Sequence, residues 1–165
     1  MSYEPTSLYS EILTNLFMGG TDDEDVIQVA APFGNASKLP FEAIVTMYAW
    51  ARPADWSIQE FRYGIPDAAI KDIDLARLRE AVEFGYARWK AGDRVLVRCQ
   101  AGLNRSGLVT ALILMKSGLS AEDAIRAIRD GRAELALFNS HYVNWLIVEG
   151  ASFITPANEA LKEVC

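Results

Sequence analysis

Residues 93–115 read DRVLVRCQAGLNRSGLVTALILM: a strand-length apolar run, a loop carrying Gly102, and an apolar helix stopped by Gly118. A run this apolar over so short a length belongs to a strand covered on both faces, the environment of central strands in α/β proteins. NLFMGG (15–20) reads as a short strand ending in a glycine turn, and FEAIVTMY (41–48) and EFRYGI (60–65) as two more buried strands. Between and after them the pattern is helical. Leu75, Leu78, Val82, Tyr86 and Trp89 share one face of a helix over 73–91, which Gly92 stops. SAED (120–123) opens another as a capping box with Asp in place of Glu, ending near Gly131, and SHYVNWLIVEG (140–150) forms the last. Strands separated by helices of this length predict a single α/β domain. Its sheet is central and mostly parallel, of four to five strands, with helices on both faces. The stretch beyond Thr155 is expected to be loosely held.

The chain has 165 residues, one domain's length and enough to bury a core without staples. Cys99 and Cys165 have no framework spacing, which predicts a reducing, cytoplasmic setting. Residues 1–30 hold no basic segment followed by an apolar one, so no signal peptide is expected. LVTALILM (108–115) is the longest apolar run and too short to span a bilayer, so no membrane partner is expected. The net charge of −6 opposes a general polyanion binder and makes nucleic acid an unexpected partner, while leaving room for a small anion in one local pocket. His141 is the only histidine, which removes an HExxH zinc site, and two distant cysteines remove a CxxC site. Neither metal nor cofactor is expected. Any reaction must run on thiol, carboxylate, guanidinium and backbone groups, and His141 reads as a helix-end or surface residue.

In such a fold Cys99 stands at the carboxyl end of a central strand, where open α/β sheets hold their ligands. A loop over 100–106 that enters a helix at Gly107 aims several backbone N–H groups at one spot, and the helix dipole adds positive potential there. Gly102 suits the tight curvature, and Arg105 adds a fork of donors matched to two phosphate oxygens. The same field stabilises a thiolate, the nucleophilic form of cysteine. A lone cysteine is commonly a small buried hydrophobe. The succession of strand, Cys99, Gly102, Arg105, Ser106, Gly107 and apolar helix argues instead for an anion cradle around a nucleophile.

VLVRCQAGLNRSGLVTALILM resembles the signature segment of the cysteine-based protein tyrosine phosphatases, and the compact size resembles their dual-specificity branch. NLFMGG, YGIPDAAIKDIDLARLREAVEFGYARW and FNSHYVNWL resemble, in turn, the opening strand, the acid loop with its helix, and the segment behind the phosphate loop. The resemblance spans roughly residues 10–148 and implies a catalytic domain over 1–150 with a tail at 151–165. It implies that Cys99 attacks phosphorus, and that Arg105 binds the equatorial oxygens together with the amides of Gln100, Ala101, Gly102, Leu103 and Asn104. The side chains of Gln100, Leu103 and Asn104 are expected to rim the pocket. Ser106 would donate to the thiolate, or cap the helix, or both. The family's general acid lies some thirty residues before the cysteine, which selects Asp67 in GIPDAAIKD. Asp72 and Asp74 compete with it but read equally as first-turn or capping acids of the next helix. Asn139 aligns with an asparagine that braces the loop or positions water, or is a plain turn residue.

One position departs from the family. Histidine usually precedes the nucleophile, and here it is Arg98, which predicts a thiol less readily ionised than the family's. The implied substrates are a phosphorylated protein or a small phosphate monoester, with phosphotyrosine foremost and phosphoserine and phosphothreonine beyond it. Two alternatives stay open. GLNRSG also resembles the loop of the messenger-capping branch, an RNA 5′-phosphatase, and Arg98 allows a catalytically weak phospho-binding module. YAWARPADW (48–56) is the stretch placed to line the pocket through Trp50, Arg52 and Trp56, against a simpler reading in which its tryptophans anchor a surface loop to the core.

Overall fold

The computed structural model describes residues 2–21 and 41–155. Cys165 and the tail beyond Thr155 lie outside the described residues. Five strands form one sheet: β1 (Tyr9–Leu13), β2 (Leu16–Gly19), β3 (Ala43–Thr46), β4 (Gln59–Arg62) and β5 (Val95–Arg98), in the order β1-β2-β5-β3-β4. Four of them run parallel, and β1 pairs antiparallel with β2 at one edge. Among the described residues the α-helices are α1 (Leu75–Lys90), α2 (Arg105–Lys116), α3 (Ala121–Gly131) and α4 (Ser140–Ile154). The α/β domain with a mostly parallel sheet is the architecture the sequence predicts. Among the described residues no helix is long and apolar enough to cross a membrane.

The strands' period of two sorts their side chains. Leu16, Met18, Ala43, Val45, Val95, Val97 and Cys99 join the cluster that holds the apolar faces of all four helices. Ile44 and Leu96 point the other way, into a smaller cluster with Phe41, Ile58, Tyr9 and Phe17. So among the described residues the helical layer covers one face, and aromatic side chains packed edge to face cover the other. β5 is buried throughout because it lies at the centre, and its one charged residue, Arg98, is buried with it.

Three details differ from the sequence reading. β1 was not expected: in YSEIL only Ile12 is buried, since an edge strand shows one narrow face to the core. Asn15 is not strand but the turn into β2, at φ 66°, a conformation asparagine tolerates. EFRYGI is not a buried strand, because β4 is the opposite edge and its side chains stay partly exposed. The helices otherwise fall close to expectation. Asp74 caps α1 by accepting from the Ala76 and Arg77 amides, and Ser120 caps α3 by accepting from Asp123. The box at α3 is only half formed, for the Asp123 carboxylate pairs with Arg126. α4 continues to Ile154, because Phe153 still has core to bury against.

Candidate active site

β5 ends in the middle of the sheet, so the residues that follow it emerge where several carboxyl ends converge. Cys99 is buried there, its amide donating to the Gly19 carbonyl at 3.2 Å. The loop 100–104 then presses against β2. Gly102 has φ +69°, and a Cβ there would stand 2.3 Å from the Gly19 carbonyl carbon. A Cβ at Gly20 would meet the Gln100 carbonyl oxygen at 2.7 Å. The glycine pair in NLFMGG, read as a turn, is therefore a surface the loop lies on.

That contact organises the loop's amides. Three carbonyls are each taken by a donor from outside the loop: Gln100 by the Thr21 amide at 2.9 Å, Leu103 by the Leu137 amide at 3.1 Å, and Gly102 by Arg132 Nε at 3.1 Å. In a trans peptide the C=O and the next N–H point in opposite directions. Pinning these carbonyls outward aims the amides of Ala101, Leu103 and Asn104 away from the surrounding protein and into the loop's concave side. This is a nest for an anion.

The helix behind the loop adds to it. α2 begins at Arg105, two residues earlier than expected, so Arg105 and Ser106 belong to its first turn. Asn104 is its N-cap residue, yet makes no side-chain cap. Its side chain is engaged elsewhere, donating from Nδ2 to Asp67 at 3.0 Å and accepting the Asn139 amide at 2.9 Å. The uncapped amides of the first turn thus remain available to a ligand at the positive end of the dipole.

The structure brings together most of the predicted residues. Ser106 Oγ lies 3.3 Å from Cys99 Sγ, and neither Ser106 nor Gly107 is the helix cap. Arg105 spreads its guanidinium 5.2 Å from the centre of the Tyr48 ring, with long contacts of 3.4 Å to the Ile65 carbonyl and to Gln100 Oε1. Its Nε is buried without an acceptor. Asp67 accepts from Asn104 on one oxygen and from Asn139 Nδ2, at 2.8 Å, on the other. Asn139 also caps α4 through the His141 amide, so it is both a helix cap and a brace, more than a plain turn residue. Tyr142 donates to the Pro66 carbonyl at 2.7 Å and holds the segment carrying Asp67 from below. Burial, and then the Asp67 charge, push the Tyr142 phenol up to about 12, so it stays a donor.

Other expected residues are placed differently. Leu103 and Asn104 are buried and do not rim the pocket, whereas Gln100 is exposed and reaches Arg105. Asp72 sits in a 3-10 turn (Ile70–Asp72) and Asp74 is the α1 cap, and neither side chain bonds to the loop. His141 is exposed.

Arg98 points to the sheet face opposite Cys99. It is fully buried there, donating to Thr46 Oγ1 at 2.9 Å, to Glu60 Oε2 at 2.9 Å and to the Arg52 carbonyl at 2.7 Å. Burial would raise the Glu60 carboxyl, but hydrogen bonds from Thr46 and Arg98, with the charges of Arg98 and Arg62, hold it below its ordinary value. The tryptophans of YAWARPADW do not anchor their loop: Trp50 is 84% and Trp56 95% exposed. Arg62 and Arg98 anchor it instead, through the Ala51 and Arg52 carbonyls. Sequence reasoning missed Asn104 as a bridge, Tyr48, Tyr142 and Arg132. The first three fall in segments the sequence singles out, but no local spacing announces which partners they take.

The family described as dual specificity phosphatase, catalytic domain, matches residues 35–150. Solved structures share the architecture at low identity. Human DUSP28 is 22% identical with a TM-score of 0.70, over 96% of this chain and 99% of that one. Tk-PTP in the active form is 22% identical with a TM-score of 0.69, over 89% and 98%. PTPMT1 in complex with PI(5)P is 17% identical with a TM-score of 0.70, over 96% and 100%. No curated protein matches the chain in sequence.

Proposed function

We propose that this chain, which belongs to the dual specificity phosphatase family, hydrolyses phosphate monoesters through a phosphocysteine intermediate, with phosphotyrosine in proteins as its first substrate class. The observation that carries this reading is the loop after Cys99: three carbonyls held from outside it, a helix start without a side-chain cap, and an Arg105 whose Nε has no acceptor.

In the first step the Cys99 thiolate attacks phosphorus, the S–P bond forms, and the bond from phosphorus to the leaving oxygen breaks. Asp67 gives that oxygen a proton. Each Asp67 oxygen accepts one hydrogen bond and keeps a second lone pair, so it can carry the proton without losing its two braces. In the second step water attacks phosphorus, Asp67 takes the proton back, and the thiolate leaves with Ser106 donating to sulfur. Arg105 and the amides bind the equatorial oxygens and gain most as charge develops. Tyr48, whose ring flanks Arg105, and the exposed Trp50 two residues on favour an aromatic phosphate ester at the mouth. The acidic balance of −6 weighs against an RNA 5′-end.

The test is hydrolysis of an aryl phosphate across pH. Cys99→Ser should abolish it, and Asp67→Asn should slow it by about 10²–10⁴-fold and remove the limb that reports the acid. Rapid acid quench of the wild type should trap phosphate on Cys99. A wild type without turnover, whose Cys99→Ser variant still binds phosphopeptide, would instead be a phospho-binding module.

A further inference from the structure

We infer that Arg132 is a positioning residue of this site: from behind the loop its guanidinium fixes the Gly102 peptide and supplies an uncompensated positive charge that favours the thiolate of Cys99. The inference rests on the proposed phosphatase reading in taking Cys99 as the nucleophile and the loop as the place that receives phosphate.

Arg132 follows α3, is buried, and spends every donor group on a neutral acceptor. Nε donates to the Gly102 carbonyl at 3.1 Å, Nη1 to the Ser7 carbonyl at 2.7 Å and to Ser10 Oγ at 3.1 Å, and Nη2 to the Leu8 carbonyl at 3.0 Å. A buried guanidinium is normally matched by a carboxylate, because removing both charge and water is costly. Here no carboxylate among the described residues pairs with it. Glu4 lines the same cavity, of about 370 Å³, without forming an ion pair.

Burial pushes the Arg132 guanidinium down, and the charge of Cys99 pushes it back up, so the two groups sense each other across the loop. Ser106 Oγ from α2 lies 3.3 Å from Cys99 Sγ, and Tyr142 from α4 feels the charges of Asp67, Arg105 and Cys99. Of the two cations, Arg105 is on the side that receives phosphate and is neutralised by it. Arg132 binds a carbonyl that points away from the amide pocket, so no substrate oxygen reaches it and its charge persists through both steps.

This changes where the site's compensation for the missing histidine is found. Arg98, adjacent to Cys99 in sequence, is on the far face and already matched by Glu60. Arg132, thirty-three positions away, holds the loop from behind and has no carboxylate partner among the described residues.

The experiment reads the thiol without turnover. In a Cys165→Ser background, iodoacetamide alkylation of Cys99 is followed from pH 5 to 9 in the parent, Arg132→Gln, Arg132→Lys and, as an exposed control on α3, Arg126→Gln, with folding checked by near-UV circular dichroism. Loss of the charge in Arg132→Gln should slow alkylation at pH 6 about tenfold, equivalent to about 1.4 kcal/mol, and move the whole profile toward alkali. Arg132→Lys keeps the charge and loses the fork, so its profile should stay within about threefold of the parent, as should that of Arg126→Gln. Overlay of Arg132→Gln on the parent overturns the inference. So does a shift in Arg132→Lys as large as the glutamine variant's, or any such shift in Arg132→Lys should the glutamine variant not fold. Because alkylation needs no phosphate ester, a parent that fails to turn over would sink the phosphatase reading and leave this result standing.

Discussion

Gly102 and Asp67 show how differently two residues of one site are specified. Gly102 is confined by backbone: φ +69° disfavours any side chain, and a Cβ would strike β2 at its Gly19 carbonyl carbon. Gly102→Ala should therefore cost at least about 1–3 kcal/mol in urea unfolding and lower kcat/KM for an aryl phosphate tenfold or more, since the Leu103 amide turns with it. Unchanged activity in that variant would mean the loop tolerates another path. Asp67 is confined by two amides, from Asn104 and Asn139, that reach it from separate elements. Cys99, Arg105 and Ser106 were legible because they fall within eight consecutive residues, and Asp67 because the resemblance places an acid at its distance. Asn104 was not. Loop position alone assigns it to the rim, and only the packed structure shows its side chain turned inward to hold Asp67.

At the scale of elements, the polar staple on the second face of the sheet joins β5 to edge strand β4. Thr46, Glu60 and Arg98 lock the two together and hold the segment that presents Trp50 and Trp56. Removing one partner of a buried pair leaves the other charge unmatched, so Glu60→Gln should cost about 3 kcal/mol in equilibrium unfolding, against near zero for the exposed pair Arg77–Glu80. Glu60 is held below its ordinary 4.5 in the folded chain. Its contribution is therefore complete above pH 4.5 and is lost as pH falls through the lowered folded value. The parent should lose stability over that acid range and Glu60→Gln should lose less, as read by urea titrations at stepped pH. The staple was invisible in the sequence. Arg98 was read by its neighbour Cys99, while strand alternation sends adjacent side chains to opposite faces.

At the scale of the whole molecule, the nest, the helix end and Arg105 exist only when sheet, loop and α2 are assembled, so an anion held there binds the folded chain alone. Inorganic phosphate at about a hundred times its dissociation constant should add about 2.7 kcal/mol, raising Tm by roughly 5–10 °C for a domain of this size. Arg105→Met should lose most of that gain. A Tm indifferent to phosphate in the parent would mean the cradle is not preformed. What the sequence alone determined was the alternation of strands and helices, the central place of the cysteine strand and which thiol, guanidinium, hydroxyl and carboxylate to propose for the site. These are local: each follows from a periodicity of two or 3.6, a glycine stop, or a short motif. What tertiary structure decided was which charges meet. Arg98, Asn104 and Asn139 find Glu60 and Asp67 far along the chain, and Arg132 finds carbonyls of Ser7 and Gly102, which carry no charge and so leave no pattern in the sequence. A buried guanidinium satisfied by carbonyls is matched by geometry, and geometry appears only when the layers have closed over it.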